Sequence, residues 1–141
     1  MGSRGVGKTH LMVALLKESI RRGHLSVCMK SVPRMLMEIR NNMKNVQGGE
    51  LAYMERVTGY GLLFLDDLGV EKPSDWVLQT LYLIVDQRYN DNQPLVISSN
   101  FDLDEIATRL DDRIASRIAG LCGKDCIIEL EGEDLRLEEQ L

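Results

Sequence analysis

The segment Gly2-Ser3-Arg4-Gly5-Val6-Gly7-Lys8-Thr9 constrains this chain more than any other, because it fits a glycine, four free positions and then Gly-Lys-Thr. Glycines let the backbone curl so that successive N–H groups aim at one anion, and a helix starting where the loop ends adds the positive end of its dipole. In such a loop Lys8 reaches the outer phosphates of a nucleotide, and the Thr9 hydroxyl holds Mg²⁺. A loop of this kind joins a buried strand to a helix, so the pattern predicts an α/β fold around a parallel sheet. Only Met1 precedes Gly2. The expected fold therefore lacks the strand before the loop, and the chain is read as a core truncated at its N-terminus.

Downstream, Leu11, Met12, Leu15, Leu16 and Ile20 recur at helical spacing from Lys8 to Arg22, and Arg21-Arg22-Gly23 supplies the C-terminal punctuation. Leu25 to Met29 reads as a buried strand. Pro33 opens a second helix whose apolar stripe is Met35, Leu36, Ile39, Met43 and Val46. Its other face carries Arg34, Arg40 and Lys44, either a solvated surface or a contact for nucleic-acid phosphates. Leu51, Met54 and Val57 predict a short helix. Leu62-Leu63-Phe64-Leu65-Asp66-Asp67 is an apolar strand ending in two carboxylates, and its lack of alternation marks burial on both faces. At the carboxyl end of such a strand Asp66 would hold Mg²⁺ and Asp67 would orient or deprotonate an attacking water. The competing reading is a turn before Gly69.

Pro73-Ser74-Asp75 looks like a helix entry, Val77, Leu78, Leu81, Ile84 and Val85 form its inner face, and Asn90-Asp91-Asn92 closes it. Trp76 and Tyr89 belong to this amphipathic pattern and are read as packing residues. Leu95-Val96-Ile97 is a further strand running into Ser98-Ser99-Asn100, where a polar side chain either touches the γ phosphate or makes an Asx turn. Asp102 and Glu105 have capping-box spacing before a short helix. Arg109 to Ile118 reads as one helix with Leu110, Ile114 and Ile118 inward, which leaves Arg113 and Arg117 together on one side. Cys126 to Leu130 is read as the last strand, and Gly132 to Leu141 as an acidic tail.

Composition narrows the function classes. With 44% hydrophobic and 28% charged residues, the 141 positions suit one globular domain spanning 1–141, and no apolar run approaches a membrane span. No basic segment followed by an apolar core marks the N-terminus for export, so the expected compartment is the cytoplasm. Cys28, Cys122 and Cys126 make an odd count that favours reduced thiols. With His10 and His24 far away in sequence, they fall short of a zinc set. A net charge of −5 excludes a surface that attracts nucleic acid everywhere and leaves room for a local basic groove.

The P-loop, Asp66-Asp67-Leu68-Gly69, Ser98-Ser99-Asn100 and the Arg109 to Ile118 segment occur in the order used by AAA+ ATPases. Together with Trp76, Asp86-Gln87-Arg88-Tyr89 and Gly132-Glu133-Asp134-Leu135-Arg136-Leu137, the chain resembles bacterial helicase loaders of the DnaC/DnaI type and the related IstB transposition ATPases. The resemblance implies a P-loop NTPase three-layer sandwich with a mostly parallel central sheet. It further implies ATP binding by Gly2, Ser3, Arg4, Gly5, Val6, Gly7, Lys8, Thr9 and His10, and Mg²⁺ coordination through Thr9 and Asp66. Water activation falls to Asp67 and the sensor position to Asn100. Arg117 matches the arginine finger that such proteins insert into a neighbouring subunit's site, with Arg113 as helper, so a homo-oligomer is implied. A loader implies single-stranded DNA, held in relatives partly by the insertion matching Arg34 to Thr58, and a replicative helicase as partners. An IstB-like helper implies a transposase. A catalytically impaired binding remnant and a small-molecule P-loop kinase are the readings from other classes.

Overall fold

The computed structural model describes residues 1–45, 47–70 and 72–134. Three parallel strands, β1 (Val27–Ser31), β2 (Leu62–Leu68) and β3 (Leu95–Ser99), pair in that order. Parallel neighbours need crossover connections, and helices supply them. After α1 (Lys8–Arg21), the helices α2 (Val32–Asn45) and α3 (Gly49–Thr58) join β1 to β2, and α4 (Asp75–Asn90) joins β2 to β3. Two shorter helices follow, α5 (Leu103–Arg109) and α6 (Asp112–Cys122).

β2 is covered on both faces, as its unbroken apolar run requires. Leu63 and Leu65 join one core with Met35, Leu36 and Ile39 of α2, Leu81 and Ile84 of α4 and Ile114 of α6. Phe64, one residue out of phase, is equally buried but outside that cluster, on the face where α1 crosses all three strands. Local chemistry sets the helix starts. Ser74 accepts a hydrogen bond from the Val77 N–H, and Asp102 with Glu105 forms the anticipated reciprocal capping box.

Four expectations need correction. β1 starts at Val27 rather than Leu25, which is 96% exposed. Its register against β2 decides this, since Val27 lies opposite Leu62 and Ser31 opposite Asp66. The segment from Arg109 to Ile118 is two helices, not one: the Asp111 carboxylate accepts from the Arg113 N–H and caps a new helix, breaking the pattern after Leu110. Met43 is exposed, not part of the buried stripe. Val46 and the segment 135–141 lie outside the described residues.

The fourth correction concerns Cys126 to Leu130, which is not a strand. Lys124–Cys126 form a single 3₁₀ turn, and the following residues run beside Met1 and Gly2. The Leu130 N–H donates to the Met1 carbonyl at 2.8 Å, the Met1 ammonium to the Ile128 carbonyl at 2.7 Å, and the Gly2 N–H to the Ser99 carbonyl at 3.2 Å. Among the described residues the backbone between β3 and this segment makes one parallel bridge, Gly2 with Leu130. Beside it opens a cavity of about 520 Å³ lined by Leu11, Leu15, Val96, Ile97, Ile118 and Ile128. This accounts for the 40% and 42% exposure of Leu11 and Leu15, the inner stripe of α1.

At the amino-terminal end of the sheet the sequence hides a buried cation. Arg88 has no exposed surface, and its guanidinium donates to the carbonyls of Thr58 (3.0 Å), Tyr60, Gly61 (3.3 Å) and Pro94. It thereby ties the end of α3 to the starts of β2 and β3. Among the described residues no carboxylate is hydrogen-bonded to it; the carbonyl oxygens and the negative end of the α3 dipole take that place, with Asp91 acting from a distance. Burial pushes its pKa below the ordinary arginine value, and its Nε is buried without a partner. Arg88→Met leaves these carbonyls buried without a donor. The expected cost is about 2–4 kcal/mol, read as a lower denaturant midpoint at an unchanged m-value.

Candidate nucleotide site

The carboxyl end of β2 carries a bulge. Leu65 lies opposite Ile97 and Leu68 opposite Ser99, so Asp66 and Asp67 together face the single residue Ser98. A bulge leaves one residue unpaired and re-aims its side chain. Asp67 adopts φ 60°, in the left-handed region that Asp tolerates better than most residues. The Ser98 hydroxyl closes the gap, donating to Asp66 Oδ1 and accepting from the Asp67 N–H at 3.0 Å. Ser99 repairs the next step, its hydroxyl donating to the Leu68 carbonyl at 2.8 Å.

The loop meets this strand end. The Thr9 hydroxyl donates to Asp66 Oδ2 at 2.9 Å, so both oxygens of a buried carboxylate are held, one by the loop and one by β3. Lys8 is buried at the start of α1, its ammonium donating to the Gly2 carbonyl at 2.8 Å and to that of Ser3. Gly5, at φ 81°, receives the Asp134 carboxylate so closely that a Cβ there would come within 1.8 Å of Oδ1. The loop thus already has an anionic group against its backbone, which suits a phosphate cradle. A hydroxyl and a carboxylate converging on one point are hard oxygen donors of the kind Mg²⁺ takes.

Thr9 and Asp66 therefore come together, with Lys8 and Asp67 next to them in sequence, while Ser3, Arg4 and His10 lie exposed and Asn100 half-buried just past β3. Arg113 and Arg117 sit on α6 and are engaged with Asp111 and with Tyr82, Asp86 and Tyr89 of α4. Sequence reasoning stopped at the Ser98-Ser99-Asn100 stretch without singling out Ser98. The signal was there in two consecutive hydroxyls at the end of an apolar strand. The contribution of Asp134 had no local signal. On the basic face of α2, Arg34 lies 3.9 Å from Glu38, Arg40 stacks 4.6 Å above the Trp76 ring, and Lys44 is exposed. Arg40 is thus also a packing residue, and Trp76 keeps its packing role, its indole N–H donating to Glu50 at 3.1 Å.

Loop, acidic strand end and parallel sheet together define a P-loop nucleotide-binding protein of the AAA+ type. The whole chain, residues 1–141, matches the family described as IstB-like ATP binding protein, and the chain belongs to it. It is 26% identical to the replicative helicase loader DnaC of Escherichia coli K12 over 83% of its length and 47% of that protein's. It is 30% identical to the replicative helicase loader DnaI of Bacillus subtilis over 74% of its length and 33% of that protein's. A crystal structure of the DnaC helicase loader superposes with a TM-score of 0.75 at 28% identity, covering 92% of this chain and 73% of that one. The chain spans between a third and about half the length of these two curated relatives. Among the described residues no helix is long and apolar enough to cross a membrane.

Ser98→Ala removes the hydrogen bonds that Ser98 makes to the Asp67 N–H and to Asp66 Oδ1. The expected loss is about 1–3 kcal/mol of stability together with weaker nucleotide binding, measured by chemical denaturation and by calorimetric titration with ATP.

Proposed function

We propose that this chain is an ATP-binding and ATP-hydrolysing AAA+ protein of DNA replication, of the helicase-loader type, which acts with single-stranded DNA and a replicative helicase. The observation that carries the reading is the Thr9–Asp66 contact, which brings the last residue of the phosphate loop to the acidic end of β2. Thr9 and Asp66 would hold Mg²⁺, which when bound neutralises charge on the phosphates. Lys8 turns from the Gly2 and Ser3 carbonyls to the nucleotide. Asp67, aimed by the bulge, orients the attacking water and accepts its proton, and Asn100 senses the γ phosphate. Arg117 serves a neighbouring copy's site in trans, so the working form is a homo-oligomer, with Arg113 as helper. The likeness to the replicative helicase loaders DnaC and DnaI supports the loader assignment. A second reading, an IstB-like transposition helper with a transposase as partner, uses the same chemistry and is favoured by the family match over the full chain.

ATP binding and turnover test the chemistry. Lys8→Ala is expected to lose ATP binding. Asp67→Asn keeps a residue that tolerates the left-handed backbone, and is expected to bind ATP while losing turnover about a hundredfold or more. Turnover by Asp67→Asn equal to that of the parent chain rejects the hydrolytic assignment, and a folded parent chain with no turnover returns it to a binding remnant. For DNA, Lys44→Ala is expected to weaken single-strand binding and to flatten its log–log salt slope by about 0.7, measured by fluorescence anisotropy. An unchanged slope restores the solvated-face reading of α2.

A further inference from the structure

The arginine pair on α6 is built into α4 in a way the loop and the bulge do not use. Arg117 Nε donates to Asp86 Oδ1 at 2.7 Å, and its guanidinium lies 4.7 Å above the Tyr89 ring. Tyr89 can lie across α6 at that height because residue 120 is glycine; a Cβ there would come within 2.6 Å of the ring. The Tyr82 hydroxyl donates to the same Asp86 oxygen at 3.4 Å and steadies the carboxylate. One turn earlier Arg113 stacks 4.7 Å above Tyr82, but its guanidinium is used differently: Nε and Nη2 both donate to Asp111, at 3.1 and 2.9 Å.

That difference separates two arginines which look alike in sequence. Arg113 is taken up side-on by the carboxylate that caps its own helix. Arg117 is held by Nε on Asp86, by the flat of its guanidinium on Tyr89 and by the Tyr82 hydroxyl beside it, and no carboxylate among the described residues holds its terminal amino groups. Those groups are the end that meets a phosphate. An exposed arginine loses much rotamer freedom when it is recruited to an anion, and a guanidinium already fixed in direction and plane has less to lose.

We infer that Asp86 and Tyr89 are positioning residues that hold Arg117 ready for the nucleotide site of a neighbouring copy of this chain. The inference rests on the proposed role of Arg117 as a finger in trans. Asp86 fixes where the side chain emerges from the α4–α6 face, and Tyr89 fixes the plane in which its terminal amino groups are offered. Arg113, with its guanidinium committed to Asp111, contributes positive potential at the same face without a free end to insert.

The test is steady-state ATP hydrolysis by the full chain as a function of protein concentration, with ATP affinity measured separately. Arg117→Ala is expected to lower turnover to a small, concentration-independent residual rate against which further losses can still be read. Asp86→Asn is expected to lower kcat roughly tenfold at unchanged ATP affinity, Asp86→Glu to recover most of it, and Asp86→Asn to add nothing in the Arg117→Ala background. Tyr89→Leu removes the stacking face and keeps the carboxylate; a roughly threefold loss that again vanishes without Arg117 supports the inference even where Asp86→Asn unfolds. A purely structural role for Asp86 would instead give losses that persist in the Arg117→Ala background. That result, or turnover in Asp86→Asn equal to or faster than the parent while Arg117→Ala is impaired, overturns the positioning role and leaves the finger intact. Full turnover by Arg117→Ala overturns the finger reading itself, and the inference with it.

Discussion

Between Leu65 and Leu68 the central strand carries one residue more than its neighbour, and the Ser98 hydroxyl closes the ladder that the extra residue leaves open. Most of the candidate site depends on that arrangement. Without the bulge, Asp66 and Asp67 would alternate to opposite faces of the sheet, as successive strand residues do. With it, Asp66 is clamped between loop and β3 while Asp67 is turned by its left-handed backbone. One carboxylate is thereby fixed and the next is re-aimed, a separation of duties between adjacent identical side chains that sequence alone cannot express.

The two ends of the sheet are held by opposite chemistry. At the amino end a single buried guanidinium gathers four carbonyls from 58–61 and Pro94, so the strands start from a rigid common point. At the carboxyl end hydroxyls and carboxylates do the holding, through bonds that can be exchanged for bonds to another ligand. Only the second kind of end can accept an anion and a cation without leaving buried groups unpaired. The cation at Arg88 thus anchors the strands, and the short polar side chains at Thr9 and Ser98 make the opposite end adaptable.

Much of this was legible because local signals agreed. The helix after the glycine-rich loop, the unbroken apolar run of β2, the Ser74 cap and the Asp102–Glu105 box each announce their element, and each appears within a residue or two of its expected place. What was missed depends on distant pairing. β1 slid to start at Val27 because β2 sets its register, and Asp111 broke a helix by capping a new one. Arg88 gave no sign of burial, since its partners are backbone carbonyls of two other stretches, 58–61 and Pro94. Leu11 and Leu15 have the spacing of core residues, yet they line a cavity beside the Gly2–Leu130 bridge. In the candidate site, residue types singled out Thr9, Asp66 and Asp67 as candidates and the structure brings Thr9 onto Asp66, whereas the hydroxyl that joins the two acids is apparent only from the register.

The phosphate loop has a further property that its glycines do not reveal. Its anchoring contacts join residues far apart along the chain, Thr9 with Asp66 and the Met1 ammonium with the Ile128 carbonyl, 127 positions on. Closing so long a span costs chain entropy that α2, α3 and the β1–β2 pair do not incur, because their contacts lie closer in sequence. These contacts tie the start of the described chain to the carboxyl end of β2 and to the segment that follows α6. An anion that fills the loop would then do more than occupy a site: it would fasten together the two most distant stretches of the described chain.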